Sequence, residues 1–160
     1  MSYTPMSDLG QQGLFDITRL LLQQPDLAAL SETLTRLVQQ SALADEAAII
    51  LWNAGNHRAA RYACDEAGHP VSYEDETVLA HGPVRRLLSR PDALHCDHET
   101  FADTWPQLIR SGLYRPFGYY SLLPLAADGR IFGGCEFLRR DNRPWSEKEF
   151  QRLHTFAQIV

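Results

Sequence analysis

The sequence is poor in lysine and cysteine and has no long apolar run. Lys148 is the one lysine among fifteen basic residues, and the formal charge is −5. An autonomous nucleic-acid binder presents a basic face, so that class is disfavoured. The arginine bias suits recognition of anions, because the guanidinium is always charged and its planar fork matches carboxylates. Genomic base composition accounts for it equally well. Cys64, Cys96 and Cys135 are odd in number and widely spaced, with no C-x-x-C. Free thiols in a reducing cytoplasm follow as the expectation. No stretch reaches the length of a membrane span, and no signal-peptide pattern opens the chain. There is no G-x-x-x-x-G-K-[ST] phosphate loop and no basic recognition helix, so ATP hydrolysis and DNA binding are not assigned to these residues. No Ser/His/Asp arrangement stands out, and His57, His69 and His154 are isolated.

What is present is an ordinary globular composition, 44% hydrophobic and 22% charged, which fits a single domain over residues 1–160 with residues 1–6 disordered. A weak helix starts near Ser7, with Leu14, Ile17 and Leu21 on one face. Asp26 is an expected N-cap for a better helix, whose stripe Leu27, Leu30, Leu34, Leu37 ends near Ser41. "EAAIILWN" (46–53) reads as a strand by its apolar run, and "HRAARYAC" (57–64) as its return. Residues 65–75 read as a loop. Pro83 opens a helix that turns Val84, Leu87 and Leu88 inward, sets Arg85 beside the buried face and points Arg86 to solvent. Residues 94–96 form a short strand, and 99–111 a helix interrupted at Pro106.

"GYYSLLPLA" and "RIFGGCEFL" pair around Asp128-Gly129, a strong hairpin signal. Ser146 and Glu149 make a capping box, with Trp145 and Phe150 as the hydrophobic staple. No glycine or proline stops that last helix before Val160, so it is expected to continue in a longer protein. The expected class is α/β (α+β). A central antiparallel sheet of about five to six strands would carry helices on its faces.

Strand "SLLPL", the small pair in "IFGGCEF" and the closing "PWSEKEFQRLHTFAQ" resemble the end of a GAF domain. "MSYTPMSDLGQQGLFDITRLLLQQPDLAAL", "YEDETVLAHGPVR" and "FGGCEF" are similar, over essentially the whole chain, to the amino-terminal region of formate-responsive, sigma-54-dependent activators. The resemblance implies terminal helices on one sheet face and a ligand cavity under a variable segment, here residues 65–117. It implies formate or a similar small anion as effector, with an ATPase domain and DNA-binding segment lying outside this chain. It implies no catalysis and no cofactor in this fragment. Gly133 and Gly134 would then thin the cavity floor.

Within that frame Arg85 is the first candidate for the anion, beside a helix start. His81 precedes it, and Tyr119 or Tyr120 would donate a hydroxyl from the hairpin, with Gly133 and Cys135 near the cavity. His95, Cys96, His98 and Glu99 form the densest set of metal-ligand types, short of the four ligands that a closed zinc site needs. GAF-type methionine sulfoxide reductases are a second class, but they need a cysteine pair. The cyclic-nucleotide pattern N-K…F…D-E is absent. A ligand-free dimerisation domain is the alternative, pairing Leu14/Ile17/Leu21 and Phe150/Leu153/Ala157/Val160 stripes across a two-fold, with sensing elsewhere.

Overall fold

The computed structural model describes residues 27–158. The helix expected from Ser7, the Asp26 cap and Val160 lie outside them. The described elements are α1 (Leu27–Gln40), β1 (Glu46–Asn53), β2 (Arg58–Cys64), β3 (Pro70–Asp75), α2 (Pro83–Ser89), β4 (Leu94–Asp97), α3 (His98–Thr104), α4 (Pro106–Ser111), β5 (Tyr119–Ala127), β6 (Arg130–Arg139) and α5 (Glu147–Ala157). One six-stranded sheet runs β3-β2-β1-β6-β5-β4, antiparallel at every pairing.

Strand alternation divides the core between the two sheet faces. On one face Ile49, Leu123, Cys135 and Phe137 meet Leu30, Leu34 and Leu37 of α1 and Leu153, Phe156 and Ala157 of α5. On the other, Ile50, Leu122 and Leu138 meet Val84 and Leu87 of α2, Phe101 of α3 and Leu108 of α4. The second layer is a roof of short helices. Its first turn is pinned by Asp75, whose carboxylate accepts from the amides of Val78, Leu79 and Ala80 at 3.0–3.2 Å.

The hairpin and the last helix form as their sequences dictate. Asp128 and Gly129 both have positive φ, 53° and 74°, as a two-residue primed turn requires. Ser146 Oγ accepts from the amide of Glu149, and the Glu149 carboxylate accepts in return from the amide of Ser146. Trp145 and Phe150 pack against the same core. Pro106 divides the expected 99–111 helix into α3 and α4, with Asp97 capping the first.

Three expectations are corrected. Residues 70–75 are an edge strand rather than loop; β3 is solvated along nearly its whole length, and its only alternation is the short Val71-Ser72-Tyr73-Glu74, directly after Gly68 and Pro70. The roof therefore begins after Asp75. On α2 the inward residues are Val84 and Leu87, while Leu88 is 38% exposed. Arg85 is exposed and Arg86 is the half-buried one, its Nη1 donating to the Asp92 carbonyl. The helix ends at Arg90, whose backbone is extended, and Arg86 reaches past it to the Asp92 carbonyl. Leu153 and Ala157, expected as part of a dimer stripe, are buried in the domain's own core.

Candidate functional site

Gly134 faces the roof and Gly133 the opposite side, and neither opens a hollow. A Cβ on Gly134 would lie 2.5 Å from Leu122 Cδ1 and 2.9 Å from Leu87 Cδ1, so side chains already close over it. A Cβ on Gly133 would run into the carbonyl oxygen of Ile50 on the neighbouring strand. The ladder slips at this place: Leu125 faces Gly133 but Ala126 faces Ile131, which leaves Phe132 as a bulge residue. Gly133 thus serves a close strand approach beside a bulge, and Gly134 gives room to two leucine side chains.

The polar feature of the roof side is a buried carboxylate two residues further along β6. Glu136 shares a face with Gly134 and Leu138 and has no exposed surface. Arg61 on β2, also buried, donates from Nε to Glu136 Oε1 at 2.6 Å and from Nη1 to the Leu113 carbonyl at 3.3 Å. Tyr114 donates to Glu136 Oε2 at 2.5 Å, and Tyr120 donates to the same oxygen. The Arg61 guanidinium lies over the Tyr114 ring, 4.3 Å from its centroid, a cation–π contact. Phe101 and Phe117 pack around the phenols.

The electrostatics follow from burial. Burial opposes the Arg61 charge most strongly of any one cause, yet the charge and hydrogen bond of Glu136, with Tyr114 and Tyr120 beside it, together hold the guanidinium above its usual range. Burial and then the Glu136 charge push Tyr114 and Tyr120 well up, so both stay protonated donors. A cation and two hydroxyls converging on one carboxylate make a set matched to that functional group.

Beyond Arg61 lies a cavity of about 290 Å³ lined by Arg61, Arg115, Glu46, Thr35, Cys64 and Leu113, with Asp65 and Glu66 also on its wall. Arg115 Nη2 pairs with Glu46 Oε1, while its Nη1 is buried without a hydrogen-bond partner. Burial, then Arg140, lowers the Arg115 pKa.

The residues singled out from sequence are scattered. Tyr120 is in the cluster. Tyr119, on the alternate face, packs edge-on to Trp145 at 5.7 Å between centroids. Arg85 and His81 are exposed, His81 Nδ1 lying 2.7 Å from the Thr77 carbonyl. Cys135 is buried on the α1/α5 side, where burial raises its thiol well above the usual value. Cys96 sits on the roof side, with its thiol pushed up to about 11, mainly by burial.

Alternation along β4 sends His95 the other way, against Phe150 and with Nδ1 2.5 Å from Ser121 Oγ. His98 stacks edge-on to Phe117. Among the described residues no three His, Cys, Asp or Glu side chains converge as a metal site would require. Arg61, Tyr114, Glu136, Arg115 and Glu46 were not foreseen. One signal was available: Glu136 is a lone charge inside an apolar strand, and a buried charge needs a partner.

The GAF domain family matches residues 26–160, and the chain belongs to that family. The fold agrees. The GAF domain of an Acinetobacter phosphoenolpyruvate-protein phosphotransferase superposes with a TM-score of 0.64 at 13% identity, covering 96% of this chain and 91% of that one. A free methionine-R-sulfoxide reductase from Neisseria meningitidis gives 0.61 at 11%, covering 99% and 91%.

In sequence the chain is similar to formate hydrogenlyase transcriptional activators. It is 74% identical over 160 residues to that of Salmonella typhimurium strain LT2, and 71% identical to that of Escherichia coli strain K12, called FhlA. All of this chain is aligned in both cases, and it spans 23% of the length of each relative.

Proposed function

We propose that this domain is the regulatory small-ligand sensor of a formate-responsive transcriptional activator, with formate or a similar small carboxylate as ligand. The observation that carries the reading is the grip of Arg61, Tyr114 and Tyr120 on a buried carboxylate. Glu136 takes both hydroxyls and Arg61 Nε in the structure, so a small free carboxylate engages these donors by displacing Glu136 from them. The 71–74% identity to formate hydrogenlyase activators supports formate as the member of that class.

The domain does no chemistry of its own in this reading. It works in the cytoplasm, and the bound ligand biases an ATPase domain elsewhere in the longer protein, whose DNA contacts also lie outside these residues. No described helix is long and apolar enough to cross a membrane. The raised thiols of Cys96 and Cys135, set on opposite sheet faces, speak against a cysteine-based reductase.

Formate offers three heavy atoms, and a ceiling near −1.5 kcal/mol for each limits binding to about −4.5 kcal/mol, a Kd near the millimolar range. The test is a titration of the 160-residue chain with sodium formate against sodium chloride at equal ionic strength, followed by NMR. Saturable shifts with a Kd of about 0.5 mM or weaker are expected. A response identical to that with chloride would reject formate sensing by this domain.

A further inference from the structure

α5 meets the far edge of the sheet through an aromatic ring held between two imidazoles. His95 of β4 stands edge-on to Phe150 of α5, 3.9 Å between ring centroids, and His154, one turn along α5, stands edge-on to the same ring at 4.7 Å. His95 is paired across the ladder with Ser121 of β5, which has no exposed surface. The Ser121 hydroxyl makes one hydrogen bond among the described residues, with His95 Nδ1. A buried hydroxyl hydrogen needs an acceptor, and a ring nitrogen accepts only when it carries no proton. Satisfying Ser121 therefore selects the neutral imidazole with its proton on Nε2.

Protonation of His95 breaks this arrangement. Both ring nitrogens become donors, so Nδ1–H must donate to Ser121 Oγ, and the Ser121 hydrogen is left buried without a partner. We propose that this contact is a proton-sensitive hold on α5: when His95 takes up a proton, the seat of Phe150 on β4 weakens while the Arg139–Glu149 pair stays in place. Lifting Phe150 away admits water to the charged ring and to the hydroxyl, which relieves both. The hold needs no ligand, so it stands apart from the sensor reading.

The surroundings act in the same sense. Burial of its inner side, then His154 of α5 and Arg86 of α2, pull the His95 ring down to about 4, although its outer side keeps contact with solvent. The nearby carboxylates are engaged elsewhere or stand in water. Asp97, two residues along β4, caps α3 through the Thr100 amide. Glu149 is bound to Arg139 and to the Ser146 amide. Asp92, before β4, and Glu147, on the Phe150 side of α5, are exposed. Lys148 and Arg152 lie about 160° round α5 from Phe150 by the helical repeat, and burial keeps the Tyr119 phenol of β5 protonated. A histidine held below its usual value of about 6.5 takes its proton more readily once released. The released arrangement therefore gains on the docked one as pH falls from about 6.5 toward 4, and above that window the hold is complete.

The test uses the 160-residue chain, ¹⁵N-labelled, with histidine ring spectra recorded against pH. At about pH 7.5, above the ordinary midpoint, His95 should show the Nε2–H tautomer. Its midpoint should lie at least about one pH unit below the ordinary 6.5. Ser121→Ala removes the hydroxyl that needs an unprotonated Nδ1, so the midpoint should rise. Hydrogen exchange at Phe150 and Gln151, corrected for the intrinsic effect of pH, should accelerate about tenfold between pH 7 and 5 in the parent. In His95→Gln, whose amide oxygen can still accept from Ser121, that acceleration should be absent.

A parent His95 that titrates at or above the ordinary value, or that carries its neutral proton on Nδ1, overturns the proposal. A Ser121→Ala midpoint equal to the parent's does so as well, because the hydroxyl then has no part in holding the ring neutral. Equal acceleration in the parent and in His95→Gln would assign the response to another group, His154 included, and would also end it. The ring titration of the parent decides the matter even where a variant does not fold.

Discussion

At the scale of single residues, Glu136 and Arg61 dominate because both charges are out of water. Removing one partner of a buried pair strands the other, at a cost of about 3–5 kcal/mol. Glu136→Ala should lower the stability of the domain by about that much in urea unfolding. Replacing both at once, as Arg61→Met with Glu136→Leu, strands no charge and should cost clearly less than Glu136→Ala alone. Tyr114 and Tyr120 lose their Glu136 acceptor in both variants, at about 1–3 kcal/mol each, so that loss does not separate the two and the stranded Arg61 charge does. The Glu136→Ala variant also leaves a vacancy shaped for a carboxylate beneath three donors. Millimolar formate or acetate should restore part of its lost stability, and chloride should not. Equal effects of the three salts would show that the cluster does not recognise carboxylates as a class.

At the scale of elements, the two glycines of β6 separate two kinds of crowding. Gly133 abuts backbone, the Ile50 carbonyl, which cannot yield without parting β1 from β6. Gly134 abuts the ends of Leu122 and Leu87, which can turn aside. Overpacking costs typically about 1–3 kcal/mol. Gly133→Ala is expected at or above the top of that range and Gly134→Ala toward its lower end, in denaturant midpoints. The reverse order would mean that the bulge at Phe132 absorbs the new methyl.

The same contrast between local and distant contacts decides what could be read in the sequence. The Asp128-Gly129 turn, the Ser146–Glu149 box and the α1 stripe are local, so a few neighbouring residues specify each. β3 reads as loop because its alternation, Val71 and Tyr73 against Ser72 and Glu74, is only four residues long and follows the turn residues Gly68 and Pro70, while the edge itself stays in solvent. The site escaped because Arg61 and Glu136 stand 75 positions apart, and Tyr114 comes from an irregular turn with no period. Alternation does say that Glu136 and Gly134 share a face; it does not say which cation comes to meet them.

At the scale of the whole molecule, β6 joins the roof side of the sheet to the last helix. Glu136 faces the roof, and three residues on Arg139 is buried on the side of α5. Its Nε donates to the Leu43 carbonyl at 3.1 Å, its Nη1 to the carbonyls of Arg143 and Pro144, and its Nη2 to Glu149 Oε2 at 2.6 Å. The guanidinium also lies 4.8 Å from the Trp145 ring centroid. The first turn of α5 is therefore fastened to the strand that carries Glu136. A ligand can alter the output only by binding one arrangement better than another, and this fastening is the contact through which β6 would report.

Glu149→Gln tests it cleanly. The amide oxygen can still accept from the Ser146 N–H and keep the capping box, while the charged pair with Arg139 is lost. Formate should bind this variant with a Kd within about threefold of the parent's, since the Arg139–Glu149 pair is separate from the Arg61, Tyr114 and Tyr120 donors around Glu136. The formate-induced change in hydrogen-exchange protection at Glu149 and Phe150, expected in the parent, should shrink or vanish. If those amides respond equally in both proteins, the signal does not pass from β6 through Arg139, and α5 moves, if at all, by another contact.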